Sequence, residues 1–392
     1  MIAREAGSKR PDLVRLKVVG ALGKLLQAVC LVIRLIFAKR NGIAPVTPNA
    51  IDYTASQYRD RPPKVVWLHR LMLRQREFPE MPRYKPIFPQ LIDASQVQAS
   101  VHPRAMGKTT AESRAKTAEG TGGEPSIDFD GTSNPYIDYQ SIDLLLSLQH
   151  PRSEGYDEMC FFVMGQVKEL LFRGLHFELF NARAQLNEGQ VSDALVILAR
   201  AGAFVDHIAD TWNILSTITT EGFNEFRDHL STASGQLSFM YRHVEFILGN
   251  KSKRLAAAHK NVPHVWPAIK EALNSPSLYD AAIGVMHQRG YPIDDAAIDR
   301  DWAEEYTSNP SVRTAWLQIY QTPTSDNELY QLAEALVAID EKMSLYRWRH
   351  FTSVQKIIGF KPGTGGSAGV GWLRAVTDHR FFPELWDIRN DL

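Results

Sequence analysis

His350 stands fourteen residues before Thr364, which belongs to the glycine-rich run Gly363-Thr364-Gly365-Gly366-Ser367-Ala368-Gly369-Val370-Gly371. It is part of the apolar series Leu332, Leu336, Ile339, Met343, Tyr346, His350, Val354, Ile357, whose steps of three and four keep every member on one helix face. A titratable imidazole therefore points where the fold points its Leu and Ile. It either finds a hydrogen-bond partner in the core, the common fate of a lone core histidine, or binds something there, a buried metal above all. The glycines that follow allow close approach to a ligand or closure as a lid, with a plain surface turn as the alternative. The run lacks the Lys-Ser/Thr ending of a phosphate-binding loop and follows no strand, which argues against a nucleotide site.

Two other stretches could share that chemistry. Residues 156–170 read as a helix that is entirely apolar from Met159 to Met164, hence buried. Gly165 in its middle costs about 1 kcal/mol against Ala, which a buried helix accepts when a neighbouring helix, a flat cofactor or a substrate must come close. Further on, Arg227 lies among Phe223, Phe226 and other apolar neighbours. It could hold a carboxylate in a bidentate fork, or simply pair with Asp228 or Glu225. Ser234-Gly235 and Tyr241-Arg242 follow it.

The elements that must position these groups read as helices. Periodicity and capping signals place them at 156–186, 192–219 (capped by Ser192), 223–230, 234–248 (Ser234 to the Gly249-Asn250 stop), 277–288, 301–305, 311–321 and 327–358. No strand alternation and no internal repeat is evident, so the body is an all-α, multi-helix bundle. Residues 41–130 are rich in proline and polar residues, and 108–123 carry Thr, Ala, Gly and charge without an apolar period, reading as a disordered linker. The division expected is a basic amphipathic extension at 1–40, a linker at 41–130 and the helical domain at 131–392.

Composition narrows the function. The 392 residues carry zero formal net charge, which argues against nucleic-acid binding. Two cysteines, Cys30 and Cys160, allow no disulfide framework and no cysteine-rich zinc site, and fit a reducing, cytoplasmic setting. Without a Cys-x-x-Cys-His motif, any haem would be held without thioether links. The segment 13–37 is interrupted by Arg15, Lys17, Lys24 and Arg34, and its longest charge-free run, 25–33, falls short of the roughly 20 residues that span a bilayer. Surface contact of this basic helix with a membrane is the lesser reading beside a loosely attached helix or a translated extension.

Taken in order, these segments resemble the tryptophan 2,3-dioxygenase family over about two-thirds of the chain, from Tyr136 onward. The resemblance rests on Tyr136-Ile137-Asp138-Tyr139, Asp157-Glu158-Met159, Glu169-Leu170, Phe226-Arg227, Ser234-Gly235, Tyr241-Arg242, Arg349-His350, Gly359-Phe360-Lys361 running into Gly363-Thr364-Gly365-Gly366, and the final Phe381-Phe382-Pro383-Glu384-Leu385. It implies an all-α homotetramer with haem b (ferrous iron) and O2 as co-substrate, working in tryptophan catabolism by the kynurenine pathway. By the same resemblance His350 is the proximal iron ligand, Arg227 the clasp of the substrate carboxylate, and Thr364 the partner of its ammonium. Phe161 lines the indole pocket, and Tyr136 and Tyr139 are lent to a neighbouring subunit. Trp212, Ser234, Gly235 and Tyr241 lie around the haem.

The chain also departs from the family pattern. Gly165 stands where a distal histidine is usual, Phe223 where a tyrosine is, Leu171 where a tryptophan is common, and Gln236-Leu237 where a Phe-Gln pair is. Losing the imidazole removes an acceptor for the indole N–H and enlarges the pocket, although the related indoleamine 2,3-dioxygenases also work without it. The expectation is insertion of O2 across the indole C2–C3 bond of L-tryptophan or a substituted tryptophan, giving an N-formylkynurenine. Two alternatives stand beside it: a haem monooxygenase that makes a hydroxyindole or oxindole in natural-product biosynthesis, and a haem- or amino-acid-binding protein without turnover.

Overall fold

A computed structural model of the chain describes residues 109–125, 134–365 and 369–392. The basic helix expected at 1–40, most of the 41–130 linker, and Gly366 to Ala368 of the glycine-rich run lie outside the described residues. Among those described, every regular element is helical.

The first element, α1 (Ala111–Gly120), corrects the reading of 108–123 as an irregular linker. Thr110 and Ser113 exchange side-chain and backbone hydrogen bonds in a capping box, at 3.1 and 2.9 Å, which satisfies the helix's first donors. The missing apolar period still has its consequence, because α1 buries no residue. Two short helices follow, α2 (Pro135–Gln140) and α3 (Ile142–Leu146).

Three long helices organise the rest: α4 (Tyr156–Asn187), α5 (Val191–Leu215) and, late in the chain, a 31-residue helix over Glu328–Ile358. Both α4 and the 31-residue helix pack along α5. Gly174 lets α4 approach closely, since a Cβ there would lie 2.5 Å from the Phe204 ring on α5. α5 starts at Val191, which is buried, rather than at the expected Ser192 cap; the Ser192 hydroxyl instead donates to Glu328. Between them and after them run α6 (Thr220–Arg227), α7 (Phe239–Leu248), α8 (Lys253–Ala257), α9 (Trp266–Leu273), α10 (Leu278–Gln288), α11 (Asp295–Ile298) and α12 (Pro310–Tyr320).

The expected helix at 234–248 is two elements. Ser234 caps only a 3-10 turn at Gly235–Leu237, and Ser238 restarts the chain as α7, accepting from the Tyr241 N–H at 2.9 Å. The expected helix at 301–305 is a turn, whose carbonyls at Asp301 and Glu304 accept from Arg300. The expected starts at Ser277 and Asn327 and the stop at Gly249 all occur, with Ser277 serving as a cap.

The 31-residue helix, α13, buries Leu332, Leu336, Ile339, Met343, Tyr346 and Ile357, as the spacing predicts. Its buried Asp340 accepts from the backbone N–H of Phe381 (2.9 Å) and Phe382 (3.3 Å) and from Trp386 Nε1 (2.9 Å). Beside it, fully buried Glu384 accepts from Tyr279 (2.9 Å), Tyr306 (2.6 Å) and the Asn309 N–H (2.7 Å). α14 (Val370–Thr377) packs on α13, and the two carboxylates clasp the segment that follows it, Phe381 to α15 (Pro383–Asp387), to the bundle, one buried acceptor answering three donors in each case.

Candidate functional site

α4 presents Phe161, Gly165, Lys168 and Phe172 on one face, by steps of four, three and four. A Cβ built on Gly165 would meet no atom within 4 Å. Among the described residues no neighbouring helix accounts for this glycine, and the face is open to another body.

Across from this face His350 is half-buried on α13, in a cluster of aromatic rings drawn from four helices. The Trp212 indole stacks on its imidazole with ring centres 4.5 Å apart and planes 15° from parallel. Tyr346 lies 6.4 Å from it, and Tyr241 and Phe172 extend the cluster, 5.9 and 6.0 Å from Tyr346. Among the described residues no protein group hydrogen-bonds the imidazole. Burial, reinforced by the Lys168 ammonium, pushes His350 down to about 3, so it is neutral with a free nitrogen lone pair at ordinary pH. The buried Trp212 Nε1 also lacks an acceptor.

The electrostatic support of this wall is a buried network. Glu245 takes an ion pair from Arg242 and another from Arg347 at 3.4 Å, with Asn250 donating at 3.1 Å. Arg347 also reaches the Tyr241 hydroxyl, whose pKa burial and the Glu245 charge push up to about 12. Arg242 donates to the Gln236 carbonyl at 3.2 Å, which ties the Ser234 turn to α7.

The other end of the α4 face is lined from α6. Phe161 lies 5.3 Å from Phe226 and 6.1 Å from Phe223, with Phe223 and Phe226 edge to face at 5.0 Å. The placement of α6 follows from local chemistry. Asp157 at the start of α4 accepts from the Thr219 backbone, and a Cβ on Gly222 would clash with that carboxylate at 2.0 Å. Buried Glu158 holds the entry to α4 by accepting from the N–H groups of Arg152 and Ser153, each at 2.7 Å.

Arg227, the last residue of α6, makes neither of the ion pairs open to it in the sequence; its Nη2 donates to the Pro362 carbonyl at 2.6 Å. Thr364 Oγ1 donates to the Ala233 carbonyl at 2.7 Å. A Cβ on Gly365 would sit 2.7 Å from Ser234 Cβ, so the glycine-rich segment lies directly on the Ser234 turn. Arg227, Ser234 and Thr364 are thereby brought to one loop junction next to the Phe161–Phe223–Phe226 cluster, whereas Trp212 and Tyr241 gather at His350. Gly235 is exposed, and a side chain there would meet nothing within 4 Å. Tyr136 and Tyr139 do not join the site within this chain; on α2 they are 64% and 78% exposed.

Two members of the site escape sequence reasoning. Phe226 stood in the motif as a neighbour of Arg227 and is the buried centre of the aromatic cluster. Lys168 reads as a surface charge, yet its Nζ lies over the Trp212 indole, 4.2 Å from the ring centre. Its position three residues after Gly165, on the face of Phe161, was the available signal.

The family model for tryptophan 2,3-dioxygenase matches residues 122–265 and 270–392. Similar proteins include tryptophan 2,3-dioxygenase 1 of Ralstonia nicotianae, 41% identical over 269 residues, covering 69% of this chain and 91% of that protein. The tryptophan 2,3-dioxygenase of Ralstonia pickettii is 41% identical over 278 residues, 71% of this chain and all of its own length. That of Pseudomonas aeruginosa is 39% identical over 291 residues, 74% of this chain and 98% of its own. With both arms of the site carried on a helical scaffold that the family model covers almost from end to end, this chain belongs to the tryptophan 2,3-dioxygenase family.

Proposed function

We propose that the chain is a haem-dependent dioxygenase that inserts both atoms of O2 across the indole C2–C3 bond of L-tryptophan, or of a substituted tryptophan, to give an N-formylkynurenine. The family's prosthetic group is haem, with O2 as co-substrate. The residues fit that group. His350 offers a neutral imidazole with no competing hydrogen bond, aromatic walls surround it, and the open surface at Gly165 admits a flat body. His350 would hold the haem iron, and Trp212, Tyr241, Ser234 and Gly235 would line the site of the group. When bound, haem supplies the redox-active iron that makes O2 reactive toward the electron-rich indole.

The chain's own residues do the positioning. Arg227 offers a planar fork to the amino-acid carboxylate and Thr364 a hydroxyl to its ammonium end. Phe161, Phe223 and Phe226 give the indole an apolar seat. Holding both ends at once removes translational and rotational freedom from a ring that must meet a second reactant at contact distance. The observation that carries the reading is the junction at which Arg227 and Thr364 are tied to facing segments, Arg227 to Pro362 and Thr364 to Ala233. Substrate would take over these two groups, and the glycine-rich segment would close on it and exclude water.

The open Gly165 position leaves room for a substituent on the indole ring. It also keeps a single-oxygen outcome, a hydroxyindole or oxindole, as the second reading. Mass spectrometry of products made under ¹⁸O2 separates the two: two labelled atoms in one product are expected, one would favour the monooxygenase, and no substrate-dependent O2 uptake would remove both.

A homotetramer belongs to the same reading. Its support is the exposed aromatic surface of Tyr136, Tyr139, Tyr156 and Phe177, which suits a site completed by a neighbouring copy. No helix among the described residues is long and apolar enough to cross a membrane. We assign the protein to the cytoplasm, supported by its sparse cysteines.

A further inference from the structure

Lys168 is the charged residue between Phe161 and Phe172 on the α4 face that looks into the site. Its stem is packed by protein, and among the described residues its ammonium makes neither an ion pair nor a hydrogen bond. Its one close partner is the face of the Trp212 indole, 4.2 Å away. The adjacent acid is used elsewhere, since Glu169 accepts from the Ser238 hydroxyl and the Met240 backbone. Burial accordingly pushes Lys168 down to about 8, with only the Glu169 charge opposing.

An indole face compensates a half-buried ammonium weakly by comparison with the hydration it has lost. Such a group is stable in a fold when something that binds later brings the counter-charge. Between Phe161 and Phe172 the rest of this face is apolar or glycine, and Asp157, one turn before Phe161, is held by the Thr219 backbone, so the counter-anion is left for a ligand to supply. Resting on the haem and tryptophan reading above, we propose that Lys168 receives a carboxylate carried into the site by a bound group. The sources with that chemistry are a propionate of the porphyrin and an acidic substituent on the indole ring. The amino-acid carboxylate is matched by Arg227, which stands at the other end of the face.

The test uses the full chain as wild type, Lys168→Met and Lys168→Arg, titrated with haem and with haem dimethyl ester, whose propionates are uncharged, by Soret absorbance. If a propionate is the partner, wild type and K168R bind haem about tenfold more tightly than the diester, and K168M binds the two equally. If the partner is on the substrate, a ring-carboxylated tryptophan binds haem-loaded wild type and K168R about tenfold more tightly than K168M, over and above any change seen with L-tryptophan. A wild type that prefers neither haem over its diester nor the ring-carboxylated analogue over its affinity for K168M overturns the proposal, and the ester comparison needs no variant to fold. It is equally overturned by a six-coordinate ferric spectrum in wild type that K168M converts to five-coordinate, which would put the amine on iron. Wild type that binds no haem at all would instead remove the functional reading, and this inference with it.

Discussion

The indole of Trp212 lies flat against the imidazole of His350, 4.5 Å away and 15° from parallel, so a residue of α5 sets the plane of the ring that α13 carries. An aromatic pair of this kind contributes roughly 0.5–1.5 kcal/mol beyond its buried area. Here the larger effect is rotational, because no hydrogen bond from the protein orients the imidazole. Trp212→Leu should weaken haem binding about tenfold and broaden the ferrous histidine-ligated spectrum, while Trp212→Phe, which keeps a stacking face, stays within about threefold. Haem titration of the two variants checks this; equal behaviour of Leu and Phe would show that stacking does not orient the ring.

Arg227 donates to a main-chain carbonyl of the segment that should close on substrate. On the proposed reading, Arg227→Leu removes both a carboxylate clasp and a loop tether. The expected loss in kcat/KM is roughly 2–5 kcal/mol, the range for a charge pair cut in half, and it should appear chiefly in KM. Steady-state kinetics with L-tryptophan and with the decarboxylated amine, tryptamine, locates the effect: the variant should lose its preference for the acid.

Gly365 reports on the same junction from the opposite side. A methyl group there would lie 2.7 Å from Ser234 Cβ and 2.9 Å from its Oγ. Gly365→Ala should lift the segment from the Ser234 turn, break the Thr364–Ala233 contact and raise KM about tenfold at little cost in global stability. Adding Ser234→Gly makes room for the methyl and should recover most of the loss. A double variant no better than the single one would place the defect in the loop backbone.

Much of this site can be read from sequence because its parts sit on long periodic helices. The α13 stripe places His350 without reference to any other element, and caps such as Ser277 and Asn327 mark helix starts through side-chain bonds made within three residues. What escapes reading is carried by contacts between distant segments. Asp340 looks like one more polar residue on α13, yet its partners lie 41 to 46 residues further on. Ser234 carries the same local signature as Ser238, and nothing nearby in sequence says that the helix starts at the second. Lys168 was hidden because a lysine on a helix is normally solvated, and the indole it lies over, Trp212, is carried by the next helix, α5.

His176 on α4 gives the fold a directional pH response. Burial first, then the charges of His243 on α7 and of Arg173 and Arg183 on α4, push it down to about 4; Phe180 is its remaining ring neighbour. The unfolded chain, with a histidine near 6.5, binds the proton that the native state refuses. Stability from this residue is complete above about pH 6.5 and is lost as pH falls toward 4. His176→Phe should leave stability at pH 7 nearly unchanged and recover at most about 2 kcal/mol at pH 5. Urea midpoints at the two pH values measure this, and parallel shifts in both proteins would assign the acid sensitivity to another buried imidazole, His350 first.

Gly165 separates the geometry of the pocket from the stability of its helix. A side chain there enters open space, and replacing glycine inside a helix recovers a few tenths of a kcal/mol of intrinsic preference. Gly165→His should consequently fold as well as wild type or slightly better. Its imidazole would fill the room over the α4 face and offer an acceptor to the indole N–H. Turnover of L-tryptophan should then hold or rise, while analogues bearing a bulky ring substituent lose about tenfold in kcat/KM, because the added volume clashes with the substituent and with nothing in the protein. If bulky analogues are processed equally by both forms, the substituent points away from Gly165, and the breadth of the pocket has to be sought around Phe223 instead.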